Sequence, residues 1–312
     1  MGTSAEAVPM LSVVEDDTRD PVWNLALDEA LARAGVPSPM TLGPGWARAG
    51  LVPPPARPGD GCAAPPDGAA ARDVVRSVAA APVLRVWQND PSVVVGRFQD
   101  LDSAVDLAAC ARDGVRVVRR ATGGDAVFTG PGSLLFTLVR RLPPAVPPAA
   151  ERRPVALPDI DALVIMAVRR LGVPAGLALP SGPGRSPVLF RDGTVSIARL
   201  RTRRAVLAHV AVQVTEECAL GDRYLPGGGH RRAGTAGGGS LAGHGVDVTT
   251  DAVRSAVLTA AVDAYGNACV RRPNAIEQAC RDHLYAVRYG DFSWHLTGAP
   301  ARRGVCWEQI CR

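Results

Sequence analysis

The residues best suited to chemistry crowd into one stretch, Arg119-Arg120-Ala121-Thr122-Gly123-Gly124-Asp125-Ala126-Val127-Phe128. Arg119 and Arg120 end a strand-like run, and their planar forks of N–H donors suit a carboxylate or a phosphate. Gly123 and Gly124 allow a tight turn that brings main-chain N–H groups against a ligand. Asp125 reads either as a general base for a small amine or as an exposed turn aspartate. A second turn, Gly130-Pro131-Gly132, follows closely. Two glycine turns around a short β segment make the floor and wall of one pocket, and a plain β-hairpin has the same composition.

Further along, His209 sits in an apolar strand among Val206, Leu207 and Val210, as a catalytic imidazole or a satisfied core histidine. Cys218 lies just beyond that strand, either as a thioester-forming nucleophile or as an inert thiol. His230-Arg231-Arg232 is embedded in a glycine-rich stretch, where it serves as a lid over an anion or as incidental loop charge. The seven cysteines (62, 110, 218, 269, 280, 306 and 311) form no CxxC pair, so neither a zinc site nor a disulfide framework is indicated.

Composition narrows the partners. The 312-residue chain carries a net charge of +5, and all 35 of its Lys+Arg residues are arginine. A solvated arginine-rich surface and a basic face for an acidic carrier or phosphate-bearing substrate both fit that charge. Only 4% of residues are aromatic and no stacking motif is present, which argues against nucleic-acid binding. No apolar run approaches the ~18 residues needed to cross a bilayer. Residues 1–30 lack the pattern of a secretory leader, because Glu15, Asp16 and Asp17 interrupt it. A cytoplasmic location is expected, with no membrane partner.

These side chains need elements to hold them. Leu11 to Val14 predicts a strand, and Asn24 to Ala34 a helix with Leu25, Leu27 and Leu31 inward and Asp28 and Glu29 partly exposed. Residues 36–80, rich in Pro, Gly and Ala, predict a disordered insertion after a first segment, 1–35. Strands are expected over Val83–Trp87, Ser92–Gly96, Val115–Arg119, Ala126–Phe128 and Leu134–Val139, with a helix from Ser103, as its cap, to Arg112. A helix over 159–171 and strands over Val188–Phe190, Thr194–Arg199 and Ala205–Val214 follow. A mobile glycine-rich loop spans 221–246. A helix capped by Thr249 or Thr250 and another over Asn274–Val287 complete a unit of residues 81–298, and a tail covers 299–312. Short strands mixed with helices, without regular βαβ alternation, predict an α+β fold with a mostly antiparallel sheet flanked by helices.

Three segments in order, Asn24-Leu25-Ala26-Leu27-Asp28-Glu29-Ala30-Leu31, Trp87 to Gln99 and Gly114 to Gly124, resemble the lipoate–protein ligase A group of the biotin/lipoate ligase and octanoyltransferase superfamily. Arg288-Tyr289-Gly290-Asp291-Phe292-Ser293-Trp294 is similar to the close of that catalytic domain. The resemblance implies a biotin/lipoate ligase-like fold, related to class II aminoacyl-tRNA synthetases. It also implies a medium-chain acyl group beside the glycine loop, with Arg97, Arg119, Arg120, Thr122, Gly123, Gly124 and Ser133 as acyl- or adenylate-binding residues. Ligases of that superfamily activate the acid with ATP and magnesium, and transferases take it from an acyl carrier protein. In both, a lysine lies near the acyl carbonyl, and here Thr194 falls at its place, with His209 at a following histidine. Asp125, Thr129 and Ser133 also depart from the pattern. The expected activity is an acyl ligase or acyltransferase that makes an amide on an amine, an acidic carrier or a lipoyl-type domain, in specialised metabolism. The alternatives are a silent acyl- or partner-binding homologue and a conventional lipoate or octanoate ligase compensated by Arg199 or Arg201.

Overall fold

The computed structural model describes residues 11–16, 18–34, 81–142, 160–173, 194–226 and 239–299. The expected insertion over 36–80, the strand over 188–190, the His230-Arg231-Arg232 segment and nearly all of the tail lie outside the described residues. Two sheets form the centre. The larger runs β7 (Val195–Arg201), β8 (Ala205–Gln213), β6 (Ser133–Arg141), β2 (Val83–Trp87), β1 (Leu11–Val14) and β9 (Ala268–Arg271), in that spatial order. The smaller runs β4 (Arg116–Arg119), β3 (Ser92–Val95) and β5 (Val127–Thr129). Among the described residues four of the seven strand pairings are antiparallel; β1 runs parallel to β2 and β9, and β3 parallel to β4. The expected α+β class with a mostly antiparallel sheet is present.

Period-two alternation sorts the large sheet's side chains. Leu84, Val86, Leu134, Phe136, Leu138, Val210 and Val212 face one side and pack on α4 (Ile160–Arg170) and α5 (Thr250–Tyr265). The opposite side carries Val83, Trp87, Leu135, Val139, Leu207 and Ala211, which pack on α1 (Pro21–Arg33) and on the small sheet. Each fully buried leucine on these faces contributes about 1.5–3 kcal/mol. The polar residues of the site interrupt the second face.

α1 starts earlier than its apolar pattern suggests. The Asp20 carboxylate accepts from Val22 N and Trp23 N at 2.8 and 3.0 Å, and Pro21 fills a position that needs no N–H donor. Its Asp28 and Glu29, expected to be partly exposed, are each only 2% exposed, because distant arginines neutralise them. The helix expected from Ser103 is two short ones, α2 (Leu101–Ala104) and α3 (Leu107–Asp113), capped by Asp100 and Asp106. Buried, extended Val105 separates them, and Asp106 accepts from Ala109 N to start the second. Near the C-terminus α6 (Ala275–Leu284), closed by an Asn274–Glu277 capping box, ends before the expected Val287. A π-helical turn, Tyr285–Tyr289, leads on to α7 (Phe292–Thr297).

Candidate active site

Strand register builds the site's first layer. Arg85 pairs with Thr137 across β2 and β6, and Thr137 with His209 across β6 and β8, so the three stand in one row beneath α1. Asp28 comes down on that row. Its Oδ1 accepts from Arg85 Nη1 at 2.9 Å, its Oδ2 accepts from the Thr137 hydroxyl at 2.6 Å, and His209 Nδ1 lies 3.5 Å from Oδ2. The Trp87 indole donates to Thr137 Oγ1 at 3.1 Å, and Arg85 also donates to the Asn24 side chain. A carboxylate buried this deeply persists only when it is paired and hydrogen-bonded. Glu29, one residue on, accepts from Arg288 Nη1, Arg33 Nε and, at 2.7 Å, the Tyr289 hydroxyl. Burial works to raise the Glu29 carboxyl, and the Arg288 and Arg33 charges outweigh it and hold it below its usual range.

The glycine loop supplies the second layer. Thr122 Oγ1 lies 2.7 Å from His209 Nε2 and accepts from Arg120 Nε at 3.0 Å. Arg120 also donates through Nη1 to Val94 O, and through Nη2 to Gly123 O and Asp125 O. Burial pushes its guanidinium down to about 10, still positive at neutral pH. The loop closes tightly because Gly124 adopts φ +92° and because Gly96 has no side chain: a Cβ there would lie 1.9 Å from Gly124 O. Arg119, 1% exposed, donates to the carbonyls of Gly96, Arg97, Gln99, His295 and Leu296. It fastens the 96–99 turn to α7, and the Trp294 indole fastens back onto Arg119 O at 2.9 Å. The two forks that sequence aims at an anion are thus directed at the chain's own oxygens.

Between the two layers lies a small, half-open cleft with about 10 Å3 of free space, room for about one water molecule. Leu25, Leu200, Leu207 and Ala121 form apolar wall, and Asp28, Glu29, Arg120, Thr122, His209 and Tyr289 the polar part. Burial holds His209 below its ordinary value despite the neighbouring Asp28, so the imidazole is neutral at pH 7. A neutral imidazole touching a hydroxyl is equipped to accept a proton.

The other sequence candidates lie elsewhere. Thr194 is fully buried where its carbonyl accepts from Gln213 N at 2.8 Å and its hydroxyl meets His244 Nε2 at 3.2 Å. Four residues of β8 separate that point from His209, roughly 13 Å. Ser133 donates to Gln213 Oε1 at 2.7 Å, and Gln213 Nε2 donates to Phe128 O at 3.0 Å. Cys218, beside them, donates to Gly132 O at 3.2 Å, and burial pushes its thiol up to about 11. Asp125 is exposed at the loop's tip. Half-exposed Arg97 stacks over Phe98 and Trp294, and Arg199 pairs with Asp161 on the surface. The sequence reading left out Asp28, Arg85, Thr137, Glu29 and Tyr289 as site residues. An available signal was the acidic pair Asp28-Glu29 inside a helix with leucines on both sides.

Solved structures share this architecture. One from an archaeal lipoylation system, the bi-partite lipoate protein ligase of Thermoplasma acidophilum and its E2 lipoyl domain, matches with a TM-score of 0.62 and 19% identity, covering 96% of this chain and 100% of that one. A lipoate-protein ligase A bound with ATP matches with a TM-score of 0.62 and 21% identity, covering 93% of this chain and 100% of that one. At such identity the likeness speaks to fold. In sequence, lipoate-protein ligase A subunit 1 of Thermoplasma acidophilum is 42% identical over 59 residues, 19% of this chain and 22% of that protein. The mitochondrial lipoyl amidotransferase of Mus musculus is 38% identical over 56 residues, 18% of this chain and 15% of that protein. The chain spans about a fifth of the length of these curated relatives in the matched stretches. A broader match covers the glycine loop, the row of Arg85, Thr137 and His209, and the three strands that carry it: residues 69–260, more than half of the chain, match the lipoyl protein ligase A/B catalytic domain, and the chain belongs to that family.

Proposed function

We propose that this protein transfers an activated acyl group of the lipoyl or octanoyl class to an amine, and that it does so without a lysine. One observation carries the reading: in a family whose members include lipoate-protein ligases and a lipoyl amidotransferase, a hydroxyl, a neutral imidazole and a carboxylate meet at a cavity with an apolar wall. The leucines and Ala121 accept the alkyl part, and Thr122 and His209 meet the reacting carbonyl. The cleft's free space of about 10 Å3 is far below the roughly 300–1,000 Å3 of pockets that enclose drug-sized ligands, so its walls must part to admit an acyl chain. We take the catalytic unit to be residues 81–298 together with the first segment, 1–35, that carries α1.

A magnesium nucleotide is a weaker match to this lining. Asp28 and Glu29 are each tied to arginine, and the lining guanidinium, Arg120, directs its donors at Thr122 and three carbonyls. Among the described residues no group of three or more His, Cys, Asp or Glu could hold a metal ion. A donor activated elsewhere, such as an acyl thioester on a carrier, asks none of this of the site. A protein acceptor of the lipoyl-domain type, acidic against a chain of net charge +5, suits the transfer.

The deciding experiment offers the full chain octanoyl and lipoyl thioesters in one arm, and the free acids with ATP and magnesium in the other, with a lipoyl domain as acceptor. Transfer from the thioesters is expected. Transfer only with ATP would replace the transferase reading by a ligase. Acyl binding with no transfer in either arm would favour a silent binder, and neither binding nor transfer would end the proposal.

A further inference from the structure

We infer that Thr122 is an acyl-accepting nucleophile, activated by His209 and Asp28, so that transfer passes through an ester on the threonine. This deepens the acyl-transfer proposal and rests on it.

The proton positions follow from the partners. Nδ1 of His209 faces Asp28, whose two oxygens accept from Arg85 and Thr137, so the ring proton belongs on Nδ1, facing those acceptor oxygens. Nε2 is then the acceptor, and the contact at 2.7 Å is the Thr122 hydroxyl donating to it. Arg120 Nε only donates, so it occupies a lone pair of Thr122 Oγ1 at 3.0 Å and leaves the hydroxyl proton to His209. A nucleophile within hydrogen-bond reach of a base, with a third group orienting the base, is the general arrangement of nucleophilic catalysis. At 3.5 Å the Asp28 oxygen does not yet hydrogen-bond to Nδ1, which has no hydrogen-bond partner in this structure, and the contact must tighten when substrate binds, as catalytic hydrogen bonds commonly do. Arg120 adds a fixed positive charge at the oxygen that must become anionic. The Cys218 thiol, by contrast, donates to a main-chain carbonyl, Gly132 O.

The chemistry balances with an acyl thioester as donor. Thr122 Oγ1 bonds to the acyl carbon as its proton passes to His209 Nε2; the C–S bond breaks and the thiolate leaves with that proton. The acceptor amine then attacks the ester carbonyl while His209 takes a proton from nitrogen. The C–O bond breaks, the proton returns to Oγ1, and the amide departs. The amine meets an ester already seated in the cavity, and no lysine is needed to hold the carbonyl.

The test incubates the full chain with S-octanoyl pantetheine without amine, quenches in acid, and reads intact mass and the peptide containing residue 122. Wild type and Thr122→Ser are expected to gain one octanoyl group in place of a hydrogen, on residue 122. Neutral hydroxylamine should leave that adduct in place, as expected of an oxygen ester, whereas it would remove a thioester. Thr122→Val, which keeps the shape and loses the hydroxyl, should form no adduct and slow transfer by on the order of 10² to 10⁴, with Thr122→Ser within about tenfold of wild type. Wild-type transfer with no adduct, together with near-normal transfer by Thr122→Val, would overturn the nucleophile and leave the transfer function standing. A hydroxylamine-labile adduct on a cysteine would also overturn it. A wild-type chain that neither binds nor transfers the octanoyl group would remove the underlying function and this inference with it. Should Thr122→Val not fold, the wild-type adduct's position and the Thr122→Ser result still decide.

Discussion

Two polar rows cross the same face of the large sheet, four residues apart on β8, and they differ in kind. The row at His209 holds charges: Arg85, Asp28 above it, and an imidazole that reaches a hydroxyl beside a cavity. The row at Gln213 is neutral: Ser133 donates to the Gln213 amide oxygen, the amide donates to Phe128 O, and the Cys218 thiol donates to Gly132 O. Both contain residues that catalysis uses. The charged row leaves a base in contact with a proton donor at an opening, while the neutral row commits its groups to one another and to main chain. Residue type nominates a nucleophile, and the fate of its proton decides whether it is one.

The strongest way to break this contrast is to remove the cation of the charged row. Arg85→Ala leaves the Asp28 carboxylate buried without its guanidinium and should cost about 3–5 kcal/mol, read from the shift of the urea midpoint. A loss below about 1 kcal/mol would mean that the row is not held by charge. Next, His209→Gln keeps a hydrogen-bonding side chain but loses the base. Acyl transfer should fall by on the order of 10² to 10⁴ with the circular dichroism spectrum unchanged. The matching change in the neutral row, Cys218→Ala, should leave transfer within about threefold of wild type. Similar losses at both positions would erase the distinction between the rows.

Gln213→Ala sharpens the other side. It strips partners from the Ser133 hydroxyl and Phe128 O, so stability should fall by about 1–3 kcal/mol while transfer persists. A rate loss exceeding the stability loss would draw the neutral row into the site. The smallest effect is the pH response. His209 is held below its ordinary 6.5 by burial, so the unfolded chain takes up a proton before the native one does. Stability should therefore decline as pH falls below 6.5, and the acid limb of the transfer rate should lie below that value. Cys218 has the opposite sign: pushed up to about 11, it keeps its proton while the unfolded thiol loses its own near 9, so stability should decline as pH rises through that window. Thermal melts from pH 5 to 10 check both limbs, and Cys218→Ala should weaken only the alkaline one, where Cys110, also pushed up to about 11 by burial, keeps its own share.

Much of the frame was legible along the chain. The β-branched runs of β2, β3 and β8, set off by Gln88-Asn89-Asp90-Pro91 and by glycines, announced strands, and Val253, Ala256, Val257, Ala260 and Ala261 marked the buried face of α5. Caps were harder to read: Ser103 competed with Asp100 and Asp106, and both carboxylates proved the better acceptors for free helix N–H groups. Asp28 and Glu29 were misplaced toward solvent, because a window of neighbouring residues cannot show a cation that arrives from 57 or 259 positions away. The same distance hid the destination of Arg119, whose carbonyl partners stand at both 96–99 and 295–296.

By itself, then, the sequence determined most of the strands and the long helices, the tight turn at Gly123-Gly124, the membership signalled by its motifs and the absence of any lysine. Those are local or countable properties, set by backbone freedom, hydrophobic period and composition. Tertiary structure alone decided that Arg85, Thr137 and His209 share a row, that Asp28 closes over it and that Thr122 touches the far nitrogen of the imidazole. Proton transfer depends on contacts of about 3 Å between groups distant in sequence, and only strand register and the seat of α1 set those separations.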